Sequence, residues 1–298
     1  MTNYAEMLRG VFLPITTPFN EDMSVNYGAL KVNVHLYAKS GVHGFLALGS
    51  NGENRCLNED EKRRVLETIM QYKHPDQYVM TGCIYDSTPQ TIEFMKFAAE
   101  AGSHFATLLT PSYFRKQMTH DVLVHYFSEC ADAVDIPVLL YNAPGFTGVT
   151  LEFDTVKHLS QHPNIVGMKD SAPSGIETFC ALNGPEFSVM AGSASFFYEA
   201  IQLGAPGGVI SLGNILPDAG LKLYEFARQG DSEEGRAFHE RMKAANKRIS
   251  GTYGVPGVKA AMDLCGKAGE WPRKPLQRLE GADREAVRQA LLDLGLMP

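Results

Sequence analysis

The chain has 298 residues, 44% of them hydrophobic, 20% charged and 10% aromatic. Its 28 Gly and 16 Pro are spread along the sequence, which excludes collagen-like and intrinsically disordered classes. A net charge of -7 leaves no electrostatic footprint for nucleic acid or an anionic membrane, so neither is an expected partner. Along the chain, short apolar runs alternate with longer amphipathic ones. Strands are predicted at 10-17 (GVFLPITT), 44-50 (GFLALGS), 78-84 (YVMTGCI), 105-110 (FATLLT), 137-142 (PVLLYN), 165-170 (IVGMKD), 188-193 (SVMAGS) and 207-213 (GGVISLG). Most are apolar throughout, as expected of parallel strands buried on both faces. Helical starts separate them: Asn58 with Glu61 ahead of Val65, Leu66 and Ile69, and Ser87-Thr88-Pro89 ahead of Ile92, Phe94 and Phe97.

About eight closely spaced β/α units are what an α/β (β/α)₈ TIM barrel requires, with a doubly wound sheet as the competing arrangement. Residues 8–215 are predicted to form the barrel core, and 216–298 to form a C-terminal helical extension of the same domain, including a turn-rich stretch at 266–282. No linker, repeat or low-complexity segment divides the chain. No apolar run approaches the roughly 18 residues that span a bilayer. The opening MTNYAEMLRG lacks the basic and apolar segments of a secretory signal. The five cysteines (56, 83, 130, 180 and 265) form no CxxC pair. They argue against a disulfide framework or structural zinc and for a reducing, cytoplasmic setting.

Barrel enzymes carry their chemistry at the carboxyl ends of the strands. The predicted strands end in Thr16-Thr17, Ser50-Asn51, Thr110 with Tyr113, Tyr141-Asn142, Lys169-Asp170 and Ser193, an unusual set for a packed core. Lys169 closes an apolar run, and alternation puts Ile165, Gly167 and Lys169 on one face, with Gly167 leaving room for the lysine stem. The residues alone leave two readings open: an active-site amine or a structural lysine at the rim. An amine is mostly protonated at neutral pH, and desolvation of such a group frees it for Schiff-base formation with a carbonyl substrate. Tyr141 suits a proton relay, or is a core tyrosine with a satisfied hydroxyl. The stretch Gly49-Ser50-Asn51-Gly52-Glu53 is a nest for a carboxylate or phosphate, or an ordinary capped turn. No GxxxxGK[ST] loop, strand-borne GxGxxG or GxSxG elbow occurs. His158 and His162 share a helix face without a third ligand and read as surface histidines.

Taken together, Gly10 to Phe19 (GVFLPITTPF), the 49–53 turn, Tyr141-Asn-Ala-Pro144 with Thr147-Gly148, Gly167-Met-Lys-Asp170, Gly208-Val-Ile-Ser211 and Gly254-Val-Pro-Gly-Val-Lys259 occur in one order. That order resembles the dihydrodipicolinate synthase/N-acetylneuraminate lyase family over nearly the whole chain. The resemblance implies a barrel enzyme, commonly a homotetramer, that forms a Schiff base with pyruvate or another 2-oxo acid and needs no metal or cofactor. It implies Lys169 as the Schiff-base lysine and Tyr141 as the catalytic tyrosine. Ser50 and Asn51 become the carboxylate-holding pair, Tyr113 a relay reaching a neighbouring subunit's site, and Ile210 the source of a backbone carbonyl near the iminium.

The synthase branch has an arginine where this chain has Phe146, and the lyase branch has an acidic pair where it has Ser193-Ala194-Ser195. The 49–53 turn, the Lys169-Asp170-Ser171 run and Gly192-Ser-Ala-Ser-Phe196 look most like the 4-hydroxy-2-oxoglutarate aldolase branch, with Ser171 as a substrate contact. Phe146 replaces a small polar residue of that branch, which brings 2-oxo-3-deoxy sugar acids into view. The expected reaction is cleavage of a 4-hydroxy-2-oxo acid to pyruvate and an aldehyde, glyoxylate in that branch. Dihydrodipicolinate synthesis and N-acetylneuraminate cleavage are the alternatives within the family. Outside it stand a metal-dependent barrel lyase or hydratase and a non-catalytic 2-oxo acid sensor.

Overall fold

A computed structural model describes residues 3–297. Eight strands, β1 (Gly10–Leu13), β2 (Gly44–Ala47), β3 (Tyr78–Gly82), β4 (Phe105–Leu109), β5 (Val138–Asn142), β6 (Ile165–Asp170), β7 (Ser188–Ala191) and β8 (Gly207–Val209), pair in parallel and in chain order, and β8 returns to β1. The sheet is therefore a closed barrel, and the doubly wound alternative falls away.

One side chain from each strand fills the interior: Phe12, Leu46, Met80, Phe105, Leu139, Val166, Met190 and Val209, with Leu8 beneath them. This apolar layer makes the barrel a packed core, so a small molecule has access only above it, at the carboxyl ends.

A helix follows each strand: Tyr27–Lys39, Glu59–Tyr72, Thr88–Glu100, His120–Asp132, Phe153–Leu159, Ile176–Cys180, Phe197–Gln202 and Pro217–Arg228. The last of these packs on β1. It is thus the eighth outer helix, and the expected boundary at 215/216 falls one helix early. The extension begins with Glu233–Asn246, passes through a π-helical turn at Lys247–Gly251 into Thr252–Leu264, and ends with Gly281–Asp293. Asn58 and Glu61 form the reciprocal capping box their spacing predicts. Ser87 stands at the N-cap of Thr88–Glu100 but its hydroxyl makes no cap bond.

Six predicted strands overrun their carboxyl ends, and the three that do so by three residues or more, β1, β2 and β8, have local reasons. After Leu13 comes Pro14, which has no N–H for the ladder. Leu48 turns left-handed (φ 55°) one residue after β2 stops. Beyond β8, Ile210 still bonds to the Phe12 carbonyl, but Leu212–Ile215 is helical.

The alternation expected on β6 also breaks. Val138 pairs with Ile165 but Leu139 pairs with Gly167, so Val166 is an inserted residue. The bulge sends Ile165 into the outer layer and Val166 into the barrel interior. Ile165 therefore does not share a face with Lys169. The space at Gly167 is taken by neighbours other than the lysine: a Cβ there would lie 2.4 Å from the Ser188 carbonyl oxygen and 3.2 Å from Leu139.

The five cysteines are free thiols, and among the described residues no helix is long and apolar enough to cross a membrane.

Candidate active site

Above the interior layer lies a cavity of about 210 Å³, lined by Pro14, Ser50, Asn51, Tyr141, Phe146, Lys169, Ser171, Gly192, Ser193, Ser211, Asn246 and Ser250. Of the strand-end residues singled out in the sequence, Ser50, Asn51, Tyr141, Lys169 and Ser193 converge here. Thr16, Thr17, Thr110, Asn142 and Asp170 are buried elsewhere.

Strand register brings the two central groups together. Tyr141 and Lys169 are direct partners across β5 and β6. The Lys169 amine sits 4.2 Å from the centre of the Tyr141 ring, and Lys169 is only 5% exposed. No carboxylate among the described residues forms an ion pair with it, whereas Asp170 beside it points the other way and is held by Asn142 and the Ala172 N–H. An enclosed amine over an aromatic face, without a counter-ion, is placed to react with a ligand.

Tyr141 Oη lies 3.3 Å from Ser50 Oγ. Burial pushes the phenol up, but the Lys169 charge and hydrogen bonds to Ser50, Lys169 and Ser171 outweigh it and hold Tyr141 below its usual value of 10. A phenol so placed can exchange a proton with a ligand on the lysine.

Ser50 opens a one-turn 3₁₀ helix with Asn51 and Gly52. The first N–H groups of such a turn have no partner within it, and the Asn51 amide reaches across to Ser211 Oγ at 2.6 Å. Hydroxyl and N–H donors facing an amine suit a 2-oxo acid, whose carboxylate and carbonyl are adjacent. Ser171 is held at the rim by Asn142, whose carbonyl accepts its N–H at 2.8 Å. Gly192 must lack a side chain there, since a Cβ would meet Ser171 Oγ at 2.0 Å.

Two expected residues sit differently. Tyr113 is 79% exposed, edge-on to Phe114 with ring centres 5.0 Å apart, and does not line this cavity within one chain. Ile210 is buried and also outside the lining; its carbonyl accepts the Gly213 N–H at 3.1 Å.

The sequence matches the Dihydrodipicolinate synthetase family over residues 7–294. It is 30% identical over 98% of both chains to a 4-hydroxy-tetrahydrodipicolinate synthase of Methanopyrus kandleri. It is 33% identical, over 97% of this chain and 95% of the other, to an uncharacterized DapA-like lyase of Halobacterium salinarum. The chloride-inhibited dihydrodipicolinate synthase of Acinetobacter baumannii, solved with pyruvate, superimposes with a TM-score of 0.88 at 30% identity, covering 97% of this chain and 100% of that one.

The chain belongs to the dihydrodipicolinate synthetase family. As a member it is a pyruvate-dependent carbon–carbon lyase.

Several lining residues of this family member went unread in the sequence. Asn246 donates to Ser193 Oγ (3.3 Å) and Ser195 Oγ (3.0 Å), tying the extension to the turn after β7. Ser250 lies in the π-helical turn, a widened turn often found at functional sites. Nothing in the helical periodicity of the extension marks either residue, since both stand among other polar side chains such as Lys243, Lys247 and Arg248.

Asp170 supplies a pH-dependent test of this architecture. Burial pushes its carboxyl up to about 6, against the hydrogen bonds from Ala172 and Asn142. An unfolded Asp binds its proton only below about 3.9. The favourable contribution is therefore complete below that value and is lost as pH rises through 6. Asp170→Asn is expected to gain about 1–2 kcal/mol over wild type at pH 8 and almost nothing at pH 4. Each tenfold difference in proton affinity between the folded and unfolded chain is worth about 1.4 kcal/mol, and the new amide donor takes back part of the gain. Chemical denaturation at the two pH values reads it; equal effects at both would contradict a buried, reluctantly ionised carboxylate.

Proposed function

We propose that the protein is a class I aldolase acting on 4-hydroxy-2-oxo acids through a Schiff base on Lys169. The observation that carries this reading is the enclosed Lys169 amine, without a carboxylate partner, against Tyr141 and facing the Ser50-Asn51 turn.

The donors of Ser50 and Asn51 hold the substrate carboxylate, with Ser171 at its edge. The Lys169 amine attacks the 2-oxo carbon, and loss of water leaves an iminium. The electron pair of the C3–C4 bond flows into that iminium while Tyr141 takes the proton of the 4-hydroxyl, and the aldehyde departs. The resulting enamine is protonated at C3, and the water lost earlier is regained as pyruvate is released. The iminium is the electron sink for the whole sequence. Ile210 is assigned a supporting role near the iminium through its backbone carbonyl.

Tyr113 fits a relay only across a subunit boundary. Support for the homotetramer reading is the exposed aromatic pair Tyr113 and Phe114, 79% and 63% exposed, set on a loop whose Ser112 and Tyr113 N–H groups bond to Asp86 at 2.6 and 3.2 Å. Cytoplasmic residence fits five unpaired thiols.

4-Hydroxy-2-oxoglutarate is the first substrate to test, with glyoxylate as the aldehyde. One observation favours a second reading. The lining beyond the 49–53 turn is neutral at Ser193, Asn246, Ser250 and Phe146, and among the described residues Lys169 is the only cation lining the cavity. Amide and hydroxyl groups bind the hydroxyls of a 2-oxo-3-deoxy sugar acid better than a second carboxylate. The same neutrality weakens 4-hydroxy-tetrahydrodipicolinate synthesis, whose aldehyde partner is also a carboxylate.

Pyruvate release from 4-hydroxy-2-oxoglutarate, 2-oxo-3-deoxygluconate and N-acetylneuraminate, together with condensation of aspartate semialdehyde and pyruvate, tests these readings side by side. Failure of all four would remove the aldolase assignment. Should the hydroxylated substrate lead, Asn246→Leu is expected to lower its kcat/KM by about 10–100-fold, the loss of one or two hydrogen bonds to substrate. Pyruvate capture on the lysine should be unaffected.

A further inference from the structure

A second buried lysine lies behind the site. Lys259 and Glu53 face each other with Nζ and Oε1 2.5 Å apart, and each side chain is only 1% exposed. Two of the ammonium's hydrogen bonds run to the carbonyls of Thr17 (2.7 Å) and Trp271 (2.8 Å). Glu53 Oε2 accepts the Arg273 N–H at 2.8 Å, and the Arg273 guanidinium is clamped in turn to Glu61. Glu53 is also the last residue of the turn that carries Ser50 and Asn51. It is left-handed (φ 55°), as is Leu48 just before the turn, a costly conformation for a residue with a side chain. From the other side the Thr17 hydroxyl donates to the Gly52 carbonyl at 2.8 Å.

We propose that the Glu53–Lys259 pair is a positioning device for substrate binding: it holds the 49–53 turn in its strained shape so that Ser50 and Asn51 present their donors to the 2-oxo acid carboxylate. The inference rests on the reading of that turn given under Proposed function. Taking two charges out of water makes a buried ion pair a weak source of stability alone. What the pair adds is direction. It fixes the end of a turn whose backbone would otherwise relax, and it does so from segments more than 200 residues away. Lys169 stands on β6, away from this clamp, whereas Tyr141 on β5 meets the turn through Ser50 Oγ at 3.3 Å. Loosening the turn therefore weakens grip on the carboxylate without disturbing the amine.

The test compares Glu53→Gln, Lys259→Met and the double variant, which leaves no unpaired charge should either single variant fold poorly. Active sites are counted by borohydride trapping at saturating pyruvate, and kinetics are expressed per trapped site. The expected result is a pyruvate KM for trapping raised about 10-fold or more, with kcat per site within about threefold of wild type, in the double variant as well as the singles. KM unchanged while the number of active sites falls would show a purely structural pair and overturn the proposal. So would a kcat per site that falls with KM unmoved, or no change in either. If wild-type protein fails to trap pyruvate, the failure lies with the Schiff-base reading; normal trapping with unmoved KM in the variants lies with the positioning role.

Discussion

Lys169→Ala is expected to abolish aldol cleavage, lowering kcat by about 10⁴-fold or more, the scale on which a covalent nucleophile is missed when it is removed. The physical reason is that the lysine supplies both the bond to substrate and the electron sink. Among the described residues no other amine lines the cavity to replace it. Folding should survive the change. Among the described residues Lys169 has no ion-pair partner to strand, and its removal takes one amine out of a nearly dry site (5% exposed). The expected thermal midpoint is equal to wild type or slightly higher, as for sites built for chemistry at a cost in stability. Retained turnover, or a variant that does not fold, would mean that Lys169 is structural, the other reading its sequence left open.

Tyr141→Phe separates proton transfer from covalent capture. The ring that packs beside Lys169 is kept and only the hydroxyl is lost, with its 3.3 Å contact to Ser50. General acid–base catalysis by one positioned group contributes typically about 10²–10⁴-fold, so kcat should fall within that range while the pyruvate adduct still forms. The pH profile carries a second signature. Tyr141 is held below its usual value of 10 because the Lys169 charge and its hydrogen bonds outweigh burial. As a base in the cleavage direction it acts once deprotonated, so wild-type kcat should rise with pH through a value below 10. That limb should be absent from the variant. A Tyr141→Phe enzyme with unchanged kcat and an unchanged limb would hand the proton to another group.

The barrel was legible because parallel strands buried on both faces read as apolar runs, and eight of them recur in chain order. The place of the candidate site was legible for the same reason: Tyr141 and Lys169 are conspicuous where such runs end. Strand ends were less so, because Leu48 looks like a strand residue and leaves the sheet through a left-handed backbone, and the chain beyond Ile210 turns helical at Ser211. The bulge at Val166 is silent in the sequence, since Ile165 and Val166 are equally suited to the inner and outer layers. It mattered, because the lysine's face cannot be counted back across it. The Glu53–Lys259 pair and the reach of Asn246 to Ser193 join distant segments, and no local pattern announces either. Lys259 did stand alone in an otherwise apolar stretch, Val-Pro-Gly-Val-Lys-Ala-Ala-Met, which is the signal of a buried charge seeking a partner. Tyr113 is the converse case: conspicuous in the sequence, yet exposed in the single chain and outside the cavity lining.

The most direct measurement is the intact mass of the protein after borohydride reduction with pyruvate, followed by peptide mapping. The Schiff-base account predicts one reduced pyruvyl group per chain, located on Lys169 and missing from Lys169→Ala. An unmodified chain, or an adduct that persists when Lys169 is gone, would contradict it.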